Sequence, residues 1–420
     1  MHYREGREWL ELAATALVHA GPSTAHREGA RQEALGDMLE REGKPDEARV
    51  AFARAIEIFE TTLGPEHPRV AKLMCRLGVL HRNRGDYAGM RAACRRGLEL
   101  SERALGPSHP DTAGILHTLG VTYLETGEPL TARGMYTRAY ALMLANNGER
   151  HIQTVNTLMN QGIVASLLGE DELAFELYRR TLALRIELLG PEHPRVATTL
   201  RYTGELELER GDAAAARTSF ARALALLEGA RATDHIDLSV YIPPLADAHG
   251  ALGELAIMRR LYDRALLVVA QAHDALSEGR VRTDYGRALR RAGWLPEARA
   301  QLERAIRVRA VDSGLLDPGL ARSLTELAEL ELDDGHVEVA IARLEHALVV
   351  YATMLPFGVD DHDAELALAK ALDRAGRDSV RARTLASAAL AGYREAPGIQ
   401  RGRIAELEAW LRDRPAPRAD

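Results

Sequence analysis

Glycine returns every 42 residues along the first half of the chain and nearly so along the second. Gly43, Gly85, Gly127, Gly169, Gly211 and Gly253 stand 42 apart, and Gly293, Gly335 and Gly376 continue the series at 40, 42 and 41. Each lies in a polar break between two apolar-periodic segments, as in Glu42-Gly43-Lys44-Pro45. Such a break reads as a turn between two helices. A fixed period of this length confines the chain to a stack of like units, because one unit cannot bury its apolar face alone.

A histidine ladder runs in step. Leu63-Gly64-Pro65-Glu66-His67-Pro68 recurs as Leu105-Gly106-Pro107-Ser108-His109-Pro110 and as Leu189-Gly190-Pro191-Glu192-His193-Pro194, with His151 and His235 in register. Residues one repeat apart are two helix layers apart, at about 8–10 Å per contact. They cannot converge on one metal ion, whose ligands sit within about 2.0–2.3 Å. The histidines are therefore assigned to fixing the inter-repeat loop and starting the helix after Pro68, Pro110 or Pro194. No metal and no other cofactor is expected.

The packing positions follow from the turns. Seven residues before them stand Gly36, Gly78, Gly120, Gly162, Gly204, Ala246, Gly286, Ala328 and Ala369. Nine residues after them stand Phe52, Cys94, Tyr136, Tyr178, Phe220, Tyr262, Leu302, Leu344 and Leu385. A small residue in the first helix makes room for a large one in the second. Cys94 fills the large-residue slot and reads as a small buried hydrophobe, and two cysteines are too few for a disulfide framework.

These offsets resemble the tetratricopeptide repeat, and the 42-residue period with its Leu-Gly-Pro-Glu-His-Pro loop looks like the kinesin-light-chain subtype. The resemblance covers residues 28–395. It implies an all-α, right-handed superhelical solenoid of about nine helix pairs. Residues 1–27 then form a partial repeat, with Arg4 to His19 as its second helix. Residues 396–413 form a capping helix with Ile404, Leu407 and Leu411 as its apolar stripe, and 414–420 a disordered tail. The C-terminal stretch from Asp363 to Leu372, with Gly376-Arg377-Asp378 and Ile404 to Leu411, is similar to the tail of myxobacterial-type serine/threonine kinases. That likeness implies, as the alternative function, a regulatory or sensory segment of a bacterial serine/threonine kinase system with a kinase as partner; the sensor arm of a transcriptional regulator or signalling ATPase is a third reading.

Composition excludes several other classes. With 54 basic against 61 acidic residues the formal charge is −7, which does not suit a nucleic-acid binder. The longest apolar run, Ala265 to Ala270, is far short of the roughly 20 residues a membrane span needs. The first residues lack the apolar core of a signal peptide, so a cytoplasmic location is expected. His81-Arg82-Asn83 lacks the aspartate of a kinase catalytic loop, and no phosphate-cradling Gly-x-x-x-x-Gly-Lys occurs. The expectation is a non-catalytic scaffold that binds a protein or peptide partner on its concave face, which in solenoids of this kind is lined by the first helices.

Candidate contacts lie on those helices. Where related repeats carry two asparagines, the chain reads Cys75-Arg76, His117-Thr118, Met159-Asn160 and Arg201-Tyr202, which leaves Asn160 and Arg201 as candidates. The seventh repeat concentrates one sign of charge: Arg280, Thr283, Arg287, Arg290 and Arg291 fall on one side of its first helix. Guanidiniums match carboxylate and phosphate oxygens, so an acidic or phosphorylated segment is the expected ligand. The structural alternative is neutralisation by Asp247, Glu326 and Glu329. The sixth repeat carries Pro243-Pro244 in its first helix, which is expected to start late, near those prolines, and to be shorter than its equivalents. Residues 230–280 are expected to be the least regular part of the array.

Overall fold

The computed structural model describes residues 23–81, 86–230, 237–312, 317–352, 358–395 and 397–414. Among these residues there are nineteen α-helices and no strand. They follow one another as nine pairs: α1 (Ser23–Arg41) with α2 (Pro45–Leu63), α3 (Pro68–His81) with α4 (Tyr87–Leu105), and α5 (Pro110–Glu125) with α6 (Pro129–Asn147). Next come α7 (Ile152–Leu167) with α8 (Asp171–Leu189), α9 (Pro194–Glu209) with α10 (Ala213–Ala230), and α11 (Leu238–Ala251) with α12 (Leu255–Ala272). The last three pairs are α13 (Ala275–Arg291) with α14 (Leu295–Asp312), α15 (Pro318–Asp333) with α16 (Val337–Ala352), and α17 (Gly358–Arg374) with α18 (Ser379–Tyr393). A single 3₁₀ turn, Pro397–Gln400, leads into α19 (Arg401–Asp413). The chain divides within α7 into two compact units, Met1–Thr157 and Leu158–Asp420. Arg4 to His19, Gly85 and His235 lie outside the described residues.

The turn glycines work as the ladder implies. At Gly43 the backbone enters the left-handed region, φ 74°. The Gly43 amide donates to the Glu40 carbonyl at 3.1 Å and the Lys44 amide to the Leu39 carbonyl at 2.9 Å. This pair of bonds is the Schellman cap, and it recurs at each of the other described turn glycines. The histidines start the next helix: the Nδ1 atoms of His67, His109, His151 and His193 accept from the backbone amide two residues on, at 3.1–3.3 Å. Asp274 and Asp317 take over that capping in repeats that lack the histidine.

Close packing follows the small–large register. A Cβ on Gly36, Gly162 or Gly204 would collide with Phe52, Tyr178 or Phe220. In the second pair the approach is closer. A Cβ on Gly78 would meet Ala93 at 2.9 Å, and one on Gly97 the Ala71 carbonyl at 2.6 Å. Cys75 and Cys94 thereby come to 4.1 Å between Cα atoms and are joined by a disulfide. This corrects the reading of two separate thiols: glycine on both facing surfaces lets α3 and α4 close until the sulfurs meet.

The sixth pair also corrects an expectation. α11 starts at Leu238, not at the prolines, and runs through Pro243 and Pro244. It is shorter than α5, α7 and α9, 14 residues against 16. Proline at 243 removes the amide that would bond the Ser239 carbonyl. Arg280, one repeat on, supplies the missing donor: its Nη2 reaches the Ser239 carbonyl at 3.3 Å and the Ser239 hydroxyl at 3.1 Å. The link after it is irregular, as the spacing of 40 between Gly253 and Gly293 implies. α12 and α13 are joined by only His273, in the left-handed region at φ 54°, and Asp274. In each of the first four links four residues intervene, such as Gly64 to His67, which accounts for the local period of 40.

Candidate functional site: the inner face of the second unit

Leu158–Asp420 surrounds a partly open cavity of about 700 Å³. Its walls come from the first helices α9, α11, α13, α15 and α17, with Arg403 of α19 and single residues of second helices completing them. On α13 the inward positions lie 13, 9, 6 and 2 residues before the turn glycine: Arg280, Asp284, Arg287 and Arg291. Equivalent places on α15 hold Arg322, Glu326 and Glu329, and on α11 Val240, Pro244 and Asp247. Six arginines and seven carboxylates line the space.

Those charges are extensively paired. Arg287 reaches Asp284 at 3.3 Å, Asp247 at 3.5 Å and Glu326 at 4.0 Å. Arg322 also reaches Asp284 at 3.3 Å, and Arg403 pairs with Asp363. Arg201 pairs with Glu205 and lies 4.2 Å over the Tyr202 ring. Burial pushes the Asp247 and Glu326 carboxyls above the ordinary carboxylate range, although Arg287 pulls both down. Burial also opposes the Arg287 charge, but Asp284, Asp247 and Glu326 outweigh it and raise its pKa. One buried oxygen of Glu326 has no hydrogen-bond donor among the described residues. At the rim, burial and then Glu205 and Asp171 push the Glu209 carboxyl up to about 7.

Of the candidates read from the sequence, Arg201, Arg280, Arg287 and Arg291 line this cavity. Thr283 is buried and bonds the Gly279 carbonyl and the Ser323 hydroxyl, at 2.8 and 2.7 Å. Arg290 turns sideways to Glu329 and to Asp333, the latter at 3.0 Å. Asn160, half-buried on α7, is not among the lining residues. Arg291 is exposed and makes no ion pair among the described residues. The neutralisation by Asp247, Glu326 and Glu329 is present. It is joined by Asp284, which the sequence reading missed although it lies three residues before Arg287 on the same helix. Arg322, Asp363 and Arg403 were missed too. Extending the glycine register to positions 9 and 13 before the turn recovers the first two and Asp284, but no repeat signal marks Arg403.

Among the described residues no group of three or more His, Cys, Asp or Glu is placed to hold a metal ion, and no helix is long and apolar enough to cross a membrane. Stacked helix pairs with a polar inner face define a helical-repeat solenoid of the kind that presents a surface to partners. The chain is a tetratricopeptide-repeat protein. The sequence model of that repeat matches residues 31–89, 70–145 and 146–229, and the helix pairs continue to Tyr393. No curated protein shows significant similarity to the chain. Among solved structures it is similar to the apo quorum sensor NprR from B. thuringiensis, with 14% identity over 83% of this chain and 93% of that one and a TM-score of 0.58. A Rap protein complexed with Competence and Sporulation Factor matches at 13% identity over 78% and 98%, TM-score 0.54. Aspartyl phosphate phosphatase F from Bacillus subtilis matches at 12% over 85% and 91%, TM-score 0.54. At these identities the likeness is one of fold.

Proposed function

We propose that the protein is an interaction scaffold that takes a segment of a partner protein, or a peptide, into the cavity of its second unit. The observation that carries this reading is the cavity itself: about 700 Å³ lined mainly by charged side chains of the first helices, with Leu208, Phe220, Val240 and Pro243 as its apolar part. A space of that size and polarity suits a short extended segment better than an apolar cofactor. The Rap protein of similar fold, complexed with Competence and Sporulation Factor, supports such a use of the scaffold.

The charge pattern shapes the expected ligand. Arg287 and Arg290 are matched by acids of the fold and Arg280 is taken up by Ser239, so the exposed Arg291 is the guanidinium best placed to meet an acidic or phosphorylated residue. The experiment is photo-crosslinking from Val240, inside the cavity, with Arg291→Glu as its charge arm. A partner that crosslinks from Val240 and is weakened roughly tenfold by Arg291→Glu supports the reading, while one indifferent to both positions contradicts it.

A further inference from the structure

The end of the chain returns to a turn 230 residues earlier. Arg401 Nη1 donates to Asp171 Oδ2 at 2.8 Å, and Nη2 to the Gly169 carbonyl at 2.9 Å and to Asp171 Oδ1. Gly398 presses on the Ser166 carbonyl and the Gly169 backbone so closely that a Cβ there would collide. The receiving surface at Arg401 is made of acceptors: Asp171, the Gly169 carbonyl and, nearby, Glu209. Two residues further along α19, Arg403 reaches Asp363 and lines the cavity. The cavity is bounded at one end by α9 and at the other by α17 and α19, so the contact joins the two ends of the arc that surrounds it.

This joint has the marks of one that opens. The Arg401 side chain remains 52% exposed while Asp171 is 11% exposed, and exposed ion pairs are weak and screened by salt. A void of about 140 Å³ lies within the joint, between Arg401 and Leu206. α19 itself is held firmly on the last pair, through fully buried Leu407 against Leu366, Leu390 and Tyr393. Opening would therefore separate α19 and the last pair from the turn of the fourth pair, using the small rotations between repeats that solenoids permit.

We propose that Gly398 and Arg401 form a clasp which closes the fourth to ninth pairs into a ring, and that its opening admits ligands to the cavity. The clasp does not depend on the identity of the partner, and its test needs none. Spin labels at Arg179→Cys on α8 and Ala405→Cys on α19, both exposed positions, report its distance; the native cysteines are joined to each other. One narrow distance distribution is expected in the otherwise native chain. It should broaden and lengthen in Arg401→Asp and in about 1 M salt, and return in the charge-swapped Asp171→Arg/Arg401→Asp. Access to the cavity is read from Thr325→Cys, a buried lining position, reacting with a bulky polymer-linked maleimide. Its rate should rise roughly tenfold in Arg401→Asp, as a minor open state becomes the major one, and fall back in the swap. A distance unmoved by Arg401→Asp overturns the clasp, and a rate unmoved while the distance changes overturns its role in admission.

Discussion

Gly120 shows how much one residue of the repeat decides. A Cβ placed on it would lie 2.6 Å from the Tyr136 ring, and Tyr136 is fully buried. Gly120→Leu is expected to cost roughly 1–3 kcal/mol or more, measured as a lower urea midpoint, and an unchanged midpoint would contradict the register. His117 makes a pH-dependent prediction. Burial pushes its pKa down to about 4 from 6.5, beside a 2.9 Å contact with the Thr157 hydroxyl. The folded state prefers the neutral ring, so its contribution is present above pH 6.5 and lost as pH falls through 4. Between pH 7 and 4 this residue should remove on the order of 2 kcal/mol, a loss that urea unfolding of His117→Gln should not show. The small–large pairs were legible in the sequence because each repeat restates them. The Thr157 contact was not, because it joins one repeat to the next at a position with no fixed residue type.

At the scale of the element, α11 is the instructive case. Local rules forbid two prolines in mid-helix, and on those rules the helix should begin at Pro243. What local rules cannot contain is Arg280, 37 residues on, which donates to the carbonyl that Pro243 leaves without an amide. Arg280→Ala should cost about 1–3 kcal/mol by orphaning that carbonyl. In a Pro243→Ala background, where the helix regains its own amide, the same substitution should cost at least about 1 kcal/mol less. Additive losses in the double-mutant cycle would refute the pairing. The arginine stripe left two readings open for a related reason. Spacing put guanidiniums on one side of α13, but whether they are free depends on acids of α11 and α15 that only the stack brings near. Arg287 is held by two such acids, Asp247 and Glu326, and by Asp284 of its own helix; Arg291, at the end of the helix, has no such pair among the described residues.

For the whole molecule, the period dictated the architecture and the folded chain supplied the site. Nine turn glycines implied the number of pairs, and the likeness to tetratricopeptide solenoids implied which helix of each faces inward. The return of Arg401 to Asp171 has no local signature, since a contact across 230 residues is set by the accumulated rotation of six pairs. The central claim is that a partner segment lies within the second unit's cavity. The most direct test is photo-crosslinking of the full chain in its native lysate from two positions. Val240 lines the cavity, and Leu267 is exposed on the second helix α12. The account predicts a discrete adduct from Val240, lost in Arg291→Glu, and none from Leu267. Adducts from Leu267 alone, or from Val240 undiminished by Arg291→Glu, would contradict it.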